Sequence, residues 1–256
     1  MTATAAPNDN TIKFDKVTFG YHQSEPILDQ VSFEVPDGQW LGIIGATGAG
    51  KSSLINLLTR RFDQYTGKIT LGGVDIKTMS LKAVHTKIAV ALQDSLLFSG
   101  TVRSNLAYGA PKAPTTVLAQ AAKTAVAADF IDQLPATYDA PVEQAGKNFS
   151  GGQRQRLNIS RAIVPDSDIL IMDDATSAVD QTTNAEIKAH LMQARSKRTT
   201  IIISQRVTNV MACDQIMVLT AGKVSAVGTH AELLKRSEFY RQLVKTQLGG
   251  GRYGHA

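Results

Sequence analysis

Residues 40–52 of this chain read WLGIIGATGAGKS, and they carry the clearest information about its fold. The first five of these residues, Trp40–Ile44, form a continuous apolar run that predicts a buried strand. Gly45–Ser52 then match the pattern GxxxxGK[ST], and leucines recur at helical spacing after it, predicting a helix over Ser52–Arg61. The pattern requires a strand before the glycines and a helix after them, so this segment predicts a loop that binds phosphate groups.

Each residue type in this phosphate loop (residues 45–52) has a chemical reason to be there. Glycines let successive backbone N–H groups point into one concavity, and the helix start adds its positive dipole end. Lys51 supplies a point charge for β- and γ-phosphates, and Ser52 offers a hydroxyl to Mg²⁺. A later apolar strand ends in Asp173 and Asp174, at the sheet edge where open α/β folds bind ligands, although aspartate there also suits a helix N-cap.

Strands come first along the chain and then alternate with helices. Apolar and polar residues alternate at Ile12–Phe19 and Val31–Val35, which predicts half-buried strands. Near-continuous apolar runs at residues 168–172 and 199–203, separated by a predicted helix over residues 181–195, favour a parallel sheet that is buried on both faces. Further strands are predicted at residues 67–71 and 88–92, and a hairpin at residues 215–219 and 223–227.

The middle of the chain has a different composition. Residues 99–165 are rich in Ala, Gln and Asn, with helical periodicity at Val117–Ile131 and Arg154–Ile163. The predicted fold class is therefore α/β, with a P-loop core around a mixed or parallel sheet, an N-terminal antiparallel β subdomain and an inserted α-helical subdomain.

Composition excludes several classes of protein. The 256 residues are 43% hydrophobic and 19% charged, so global disorder is excluded, and the single Cys213 excludes a disulfide framework and fits a reducing compartment. Apolar runs are too short for a membrane span, and the start, MTATAAPNDN, predicts no secretory signal. The net charge of +5 comes from scattered residues, apart from Arg60-Arg61 and a cluster at residues 195–198. No aromatics interleave with these clusters, so we expect no nucleic-acid partner.

A second motif carries a family resemblance. Phe149-Ser150-Gly151-Gly152-Gln153 lies between the phosphate loop and Asp173, and it strongly resembles the signature of the ATP-binding cassette (ABC) ATPases. Tyr21 resembles the aromatic that stacks on adenine in that family, Gln93 the Q-loop glutamine, and residues 177–180 the D-loop. The motifs follow the family order over about residues 11–245.

The resemblance implies ATP and Mg²⁺ as ligands and assigns residues to them. The nucleotide contacts that it implies are Tyr21, Gly45, Ala46, Thr47, Gly48, Ala49, Gly50, Lys51, Ser52, Ser53, Ser150, Gly151, Gly152, Gln153 and Asp180. The implied metal-site residues are Ser52, Gln93 and Asp173, and the implied catalytic residues are Gln93, Asp174 and Gln205. Residues 11–247 would form one nucleotide-binding domain, with a core of about 11–93 and 166–247 and a helical subdomain of about 94–165. Residues 1–10 would be a linker or tail, and residues 248–256 a loose C-terminus.

Two positions depart from the family pattern. Active members carry glutamate after the metal-ordering aspartate, where this chain has Asp174, and histidine at the switch position, where it has Gln205. One methylene fewer retracts the carboxylate by about 1 Å, and a misplacement of that size can cost about 100-fold in rate. A glutamine amide donates a hydrogen bond but carries no charge, unlike imidazolium. We therefore expect a site that binds Mg-ATP and hydrolyses it slowly.

Residues 94–106 and 142–148 resemble exporter-type cassettes, although Glu143–Gly146 departs from the common exporter pattern. This resemblance implies a transmembrane domain of the same transporter as partner and a position at the cytoplasmic face of the membrane. It also implies a head-to-tail pairing with a second, different nucleotide-binding domain, which carries the catalytic glutamate and switch histidine and whose site the signature here would complete. Three alternatives stay open: a module that binds ATP and hydrolyses almost none, an importer ATPase, and a soluble ABC ATPase acting on DNA or ribosomes. The last usually has a long coiled coil or a second cassette, and the sequence has neither a heptad run nor a second phosphate loop.

Overall fold

The computed structural model of the protein describes residues 9–22, 25–94, 96–194 and 198–249. The chain divides into two units: residues 1–84 with 199–256, termed the P-loop unit, and residues 85–198, termed the helical unit. Most of the predicted tails, at residues 1–8 and 250–256, and three residues of the basic cluster, 195–197, lie outside the described residues.

The P-loop unit contains the elements on both sides of the helical unit. Those before it are β1 (Ile12–Phe19), β2 (Leu28–Val35), β3 (Trp40–Ile44), α1 (Lys51–Leu58), β4 (Thr66–Leu71), β5 (Val74–Asp75), a one-turn 3₁₀ helix at Ile76–Thr78, and α2 (Leu81–Lys87), which contains the boundary. The helical unit contains β6 (Ile88–Ala91), β7 (Gly100–Thr101), α3 (Val102–Leu106), α4 (Thr115–Thr124), α5 (Ala128–Asp132), 3₁₀ turns at Thr137–Asp139 and Gln144–Gly146, β8 (Pro141–Val142), α6 (Gly151–Ile163), β9 (Ile169–Asp173) and α7 (Gln181–Gln193). The P-loop unit resumes with β10 (Thr199–Ile203), α8 (Val207–Val210), β11 (Gln215–Thr220), β12 (Lys223–Gly228), α9 (His230–Arg236) and α10 (Glu238–Leu248).

Two sheets organise the P-loop unit. An antiparallel sheet has the order β2-β1-β4-β5, which confirms the predicted N-terminal β subdomain. In the second sheet β3 lies between β10 and β11 and is parallel to both, and β11 continues antiparallel into β12 as the predicted hairpin. All five residues of β3 and of β10 are buried, as their continuous apolar runs predict. This arrangement delivers the end of β3, and hence the phosphate loop, to one edge of the sheet.

The helical unit pairs β6 parallel with β9, and its helices surround a core of their own. Leu106, Leu118, Ile131 and Leu157 are fully buried in that core. The predicted change from strands to helices in the middle of the chain is therefore confirmed.

The segment with predicted helical periodicity, Val117–Ile131, is helical but interrupted, and it forms two helices, α4 and α5. After Thr124 the chain turns at Val126, whose φ of 53° is left-handed. The N–H of Val126 donates to the carbonyl of Lys123 (3.0 Å) and that of Ala127 to Ala122 (2.7 Å), the bonding pattern of a Schellman helix end. Glycine usually marks such an end, and a β-branched valine in its place hides it from sequence analysis.

Other helix ends differ by a few residues from their predictions. Helix α1 ends at Leu58 rather than Arg61, because Arg60 is left-handed (φ 54°) and a second Schellman pattern closes the helix. Sequence periodicity predicted no helix at the positions of α9 and α10. A capping box of Thr229 and Glu232 opens α9, and this T-x-x-E pattern is a helix-start signal that the sequence contains.

Candidate functional site

The phosphate loop joins β3 to α1 in the arrangement that the sequence predicts. A Cβ atom on Gly45 would lie 2.2 Å from the carbonyl oxygen of Leu219 in β11, so only glycine fits where the loop leaves the sheet. Gly50 is the N-cap of α1 and has a φ of 98°, a conformation that favours glycine. Since glycine has no side chain, Gly50 makes no side-chain cap hydrogen bond at the positive end of α1, which faces the loop.

Lys51 holds its charge inside the loop. Its side chain is 8% exposed, and its Nζ donates to the carbonyl oxygens of Gly45 (2.8 Å) and Ala46 (2.9 Å). A buried ammonium is costly unless it is hydrogen-bonded or paired with a negative charge. The loop therefore combines a fixed cation with a helix N-terminus, which is the chemistry that binds phosphate oxygens.

Tyr21 lies in the same unit and is tied to the start of α1. Its hydroxyl is 3.2 Å from Ser53 Oγ and accepts from Asn56 Nδ2 at 3.3 Å. Its ring makes edge contacts with Phe19 and Phe62, at centroid distances of 4.9 and 5.2 Å, and is 45% exposed. A partly exposed ring that is fixed at its hydroxyl has the properties of a stacking surface, so stacking on adenine stays a prediction that the geometry fits.

The two carboxylates after β9 lie in the helical unit and have different surroundings. Asp173 is the last residue of the strand and is 8% exposed, whereas Asp174 has a left-handed φ of 44°. The carbonyl of Asp174 accepts the N–H of Ser177 (3.0 Å), so a tight turn leads directly into the predicted D-loop. Mg²⁺ prefers oxygen ligands and is usually held by one or two carboxylates together with phosphates, and the hydroxyl of Ser52 and the carboxylate of Asp173 fit that chemistry.

The signature segment, residues 149–153, forms the start of α6. Ser150 is the N-cap, and its Oγ accepts the N–H of Gln153 (3.2 Å) while Gln153 Oε1 accepts the N–H of Ser150 (2.9 Å). Ser150 and Gln153 therefore form a capping box, and the Ser150 hydroxyl can still donate its own hydrogen. A Cβ atom on Gly152 would lie 3.1 Å from the carbonyl oxygen of Ala178, so the glycine lets the D-loop approach the helix start closely.

Two buried polar side chains on α6, which sequence analysis missed, hold the neighbouring motifs. Gln155 donates to Ser177 Oγ and accepts the N–H of Ala178, both at 2.8 Å, and Asn158 Nδ2 donates to the carbonyl of Leu92 (2.9 Å), next to Gln93. They are 5% and 2% exposed. Their spacing of three, on the helix face that also buries Ile159 and Ala162, is the signal that could have found them.

The last two predicted positions lie at element ends. Asp180 caps α7 in the helical unit, where hydrogen bonds from the N–H and hydroxyl of Thr183 hold the pKa of its carboxyl below the usual value. Gln205 follows β10 in the P-loop unit and is exposed. Its carbonyl accepts from Gln247 Nε2 (2.7 Å), a residue of α10 that sequence analysis did not single out.

A buried strand, a glycine loop with a buried lysine, and a helix that begins at that lysine define a P-loop nucleotide-binding domain. A family model described as ABC transporter matches residues 28–177, more than half of the chain. The chain belongs to the ABC transporter family.

Relatives and solved structures agree with this assignment. The chain is 40% identical over 238 residues to an uncharacterized ABC transporter ATP-binding protein of Bacillus subtilis, covering 93% of this chain and 39% of that protein. It is 42% identical to an ATP-dependent lipid A-core flippase of Psychrobacter arcticus, covering 91% of this chain and 39% of the flippase. It is 39% identical to an ATM1-type heavy metal exporter of Novosphingobium aromaticivorans, covering 92% of this chain and 39% of that exporter.

The ATP-bound structure of a bacterial Atm1-family ABC exporter superimposes with a TM-score of 0.94 at 37% identity, over 98% of this chain and 44% of that one. This confirms the predicted ABC ATPase fold. The chain spans about two fifths of the length of the curated relatives. No helix within the described residues is long and apolar enough to cross a membrane.

Proposed function

We propose that this chain is the ATP-binding domain of an ABC exporter whose own nucleotide site binds Mg-ATP and hydrolyses it slowly. The observation that carries the proposal is the contrast between a complete phosphate loop, with Lys51 held by two backbone carbonyls, and the two substituted positions, Asp174 and Gln205. The residues of the phosphate loop match the pattern of active family members, whereas the two substituted residues, Asp174 and Gln205, belong to the hydrolytic step.

In this proposal each residue has a separate task. Lys51 and the N-terminus of α1 bind the β- and γ-phosphates, Tyr21 stacks on the base, and Ser52, Gln93 and Asp173 hold the metal ion. Mg²⁺, when bound, neutralises charge on the phosphate oxygens. Asp174 orients the attacking water from a carboxylate that is one methylene short, and Gln205 donates to the γ-phosphate without carrying charge. Both changes weaken transition-state stabilisation, which is most of what a protein supplies in phosphoryl transfer.

The partners belong to the same proposal. The signature segment is intact, and its Ser150 hydroxyl and the N-terminus of α6 suit a phosphate held by a second nucleotide-binding domain in head-to-tail contact. That domain would carry the catalytic glutamate and the switch histidine. A transmembrane domain would place both at the cytoplasmic face of the membrane. The exporter and flippase names of the relatives, which are about two and a half times as long as this chain, support the assignment.

Nucleotide binding and turnover by the purified chain test the hydrolytic proposal. We expect Mg-dependent ATP binding that Lys51→Ala removes, with little hydrolysis. The double variant Asp174→Glu with Gln205→His should hydrolyse ATP at least about tenfold faster, since it restores the carboxylate position and the imidazole. A wild-type chain that already hydrolyses ATP as fast as the double variant would contradict the proposal.

The partner proposal has its own measurement. Added to a partner domain that carries the catalytic glutamate, the wild-type chain should raise the turnover of the pair, whereas Ser150→Arg should not, because the larger side chain blocks the shared phosphate cradle. Equal turnover with both versions of the chain would count against a shared site.

A further inference from the structure

The switch segment, Ser204–Arg206, is held from two sides, and one of them is a helix far along the chain. On the inner side, the N–H of Ser204 donates to the carbonyl of Ile43 in β3 (3.1 Å), two residues before the phosphate loop. The Oγ of Ser204 accepts the N–H of Arg206 (3.1 Å) and Asn209 Nδ2 (2.9 Å), and both Ser204 and Asn209 are buried. The inner side of the segment is therefore fixed to the strand that leads into the phosphate loop.

On the outer side, the side-chain amide of Gln247 spans the segment. Its Nε2 donates to the carbonyl of Gln205 (2.7 Å), and its Oε1 accepts the N–H of Val207 (2.8 Å). The two partners fix the orientation of this amide, because a carbonyl only accepts and an N–H only donates. Val207 is the first residue of α8, and its N-cap, Arg206, supplies no side-chain cap, so Gln247 provides the cap from α10.

We infer that Gln247 is a positioning residue for the switch glutamine. Its amide holds the peptide groups on both sides of the Arg206 Cα, and the first of these groups is bonded to the Cα of Gln205, so Gln247 restrains the direction in which the Gln205 side chain leaves the chain. The inference rests on the proposed function, in which the Gln205 amide donates to the γ-phosphate. Because Gln247 and Gln205 are exposed, water can replace the lost hydrogen bonds. Removal of the Gln247 amide should therefore alter the orientation of the Gln205 side chain far more than the free energy of unfolding.

The preference for ATP over ADP measures the contact between the Gln205 amide and the γ-phosphate directly, because only ATP carries that phosphate and the measurement requires no hydrolysis. We expect Gln205→Ala to lower the ratio of ATP to ADP affinity about tenfold, the loss of one hydrogen bond to a charged group. Gln247→Ala should lower the same ratio roughly three- to tenfold and leave ADP affinity unchanged. In the Gln205→Ala background, Gln247→Ala should have no further effect, because the group that it positions is gone.

Gln242 offers a matched control on the same helix. It is exposed and its amide bonds only Glu238 within α10 among the hydrogen bonds of the described residues, so Gln242→Ala should leave the ratio unchanged. If Gln205→Ala lowers the ratio and Gln247→Ala does not, the positioning role is refuted while the proposed function stands. If Gln205→Ala leaves the ratio unchanged, Gln205 does not contact the γ-phosphate, and that part of the proposed function and this inference are both wrong.

Discussion

Replacement of Gln155 by methionine tests how the signature helix holds the D-loop. Methionine has nearly the same length and volume, so the change removes the two hydrogen bonds to Ser177 and Ala178 and leaves the packing of α6 in place. Each bond contributes about 1 kcal/mol, and the N–H of Ala178 loses its partner in a partly buried position, so we expect a loss of about 2–3 kcal/mol in the free energy of unfolding.

Urea unfolding measures this loss with two independent signals. Far-ultraviolet circular dichroism follows the unfolding of the helices, including α6, which carries Gln155. The fluorescence of Trp40, the single tryptophan, follows the unfolding of β3 in the P-loop unit. Gln193→Met, at an exposed position near the end of α7, is the matched control and should change the free energy by no more than about 0.5 kcal/mol. A Gln155→Met protein as stable as this control would refute the reasoning, because the two bonds would then contribute nothing.

Three further predictions concern the phosphate loop, a strained turn and a half-buried histidine. Gly45→Ala should lower ATP affinity more than about 100-fold, since its Cβ would lie 2.2 Å from the carbonyl of Leu219 and must displace the loop; calorimetric titration showing affinity within about twofold of wild type would contradict this. Ala145→Gly should raise the free energy of unfolding by about 0.5–1 kcal/mol, because φ is 58° at Ala145 and a left-handed conformation strains alanine; an unchanged or lower denaturation midpoint would show that the turn is unstrained. Burial lowers the pKa of His230, whose Nδ1 is 2.8 Å from the Tyr240 hydroxyl. Below about pH 6.5 the folded state therefore binds fewer protons than the unfolded state, and the free energy of unfolding should fall as the pH drops through that range. Unfolding midpoints between about pH 7.5 and 5.5 check this, and His230→Gln should flatten the dependence; a variant with the wild-type slope would assign it to other groups.

The site residues divide into those that sequence motifs locate and those that only contacts reveal. The phosphate loop and the signature segment are each one continuous stretch of sequence, and the spacing of their glycines reflects the backbone conformations that a loop and a helix start require. Sequence analysis therefore finds both, and they form the predicted loop and helix start. Gln155, Asn158 and Gln247 have no such pattern. They act through hydrogen bonds to residues that are 22 and 23, 66, and 40 and 42 positions away in the chain, respectively.

The family, most of the strands and the candidate phosphate loop could be predicted from the sequence, because local apolar periodicity and glycine-lysine spacing are properties of neighbouring residues. The position of the break within Val117–Ile131 and the side chains that brace the motifs are visible in the tertiary structure alone. The break at Val126 depends on two helix-end hydrogen bonds in a conformation that valine rarely adopts, and bracing depends on which polar groups burial brings within hydrogen-bond distance. The bracing contacts are set by packing between distant segments, which no local pattern encodes.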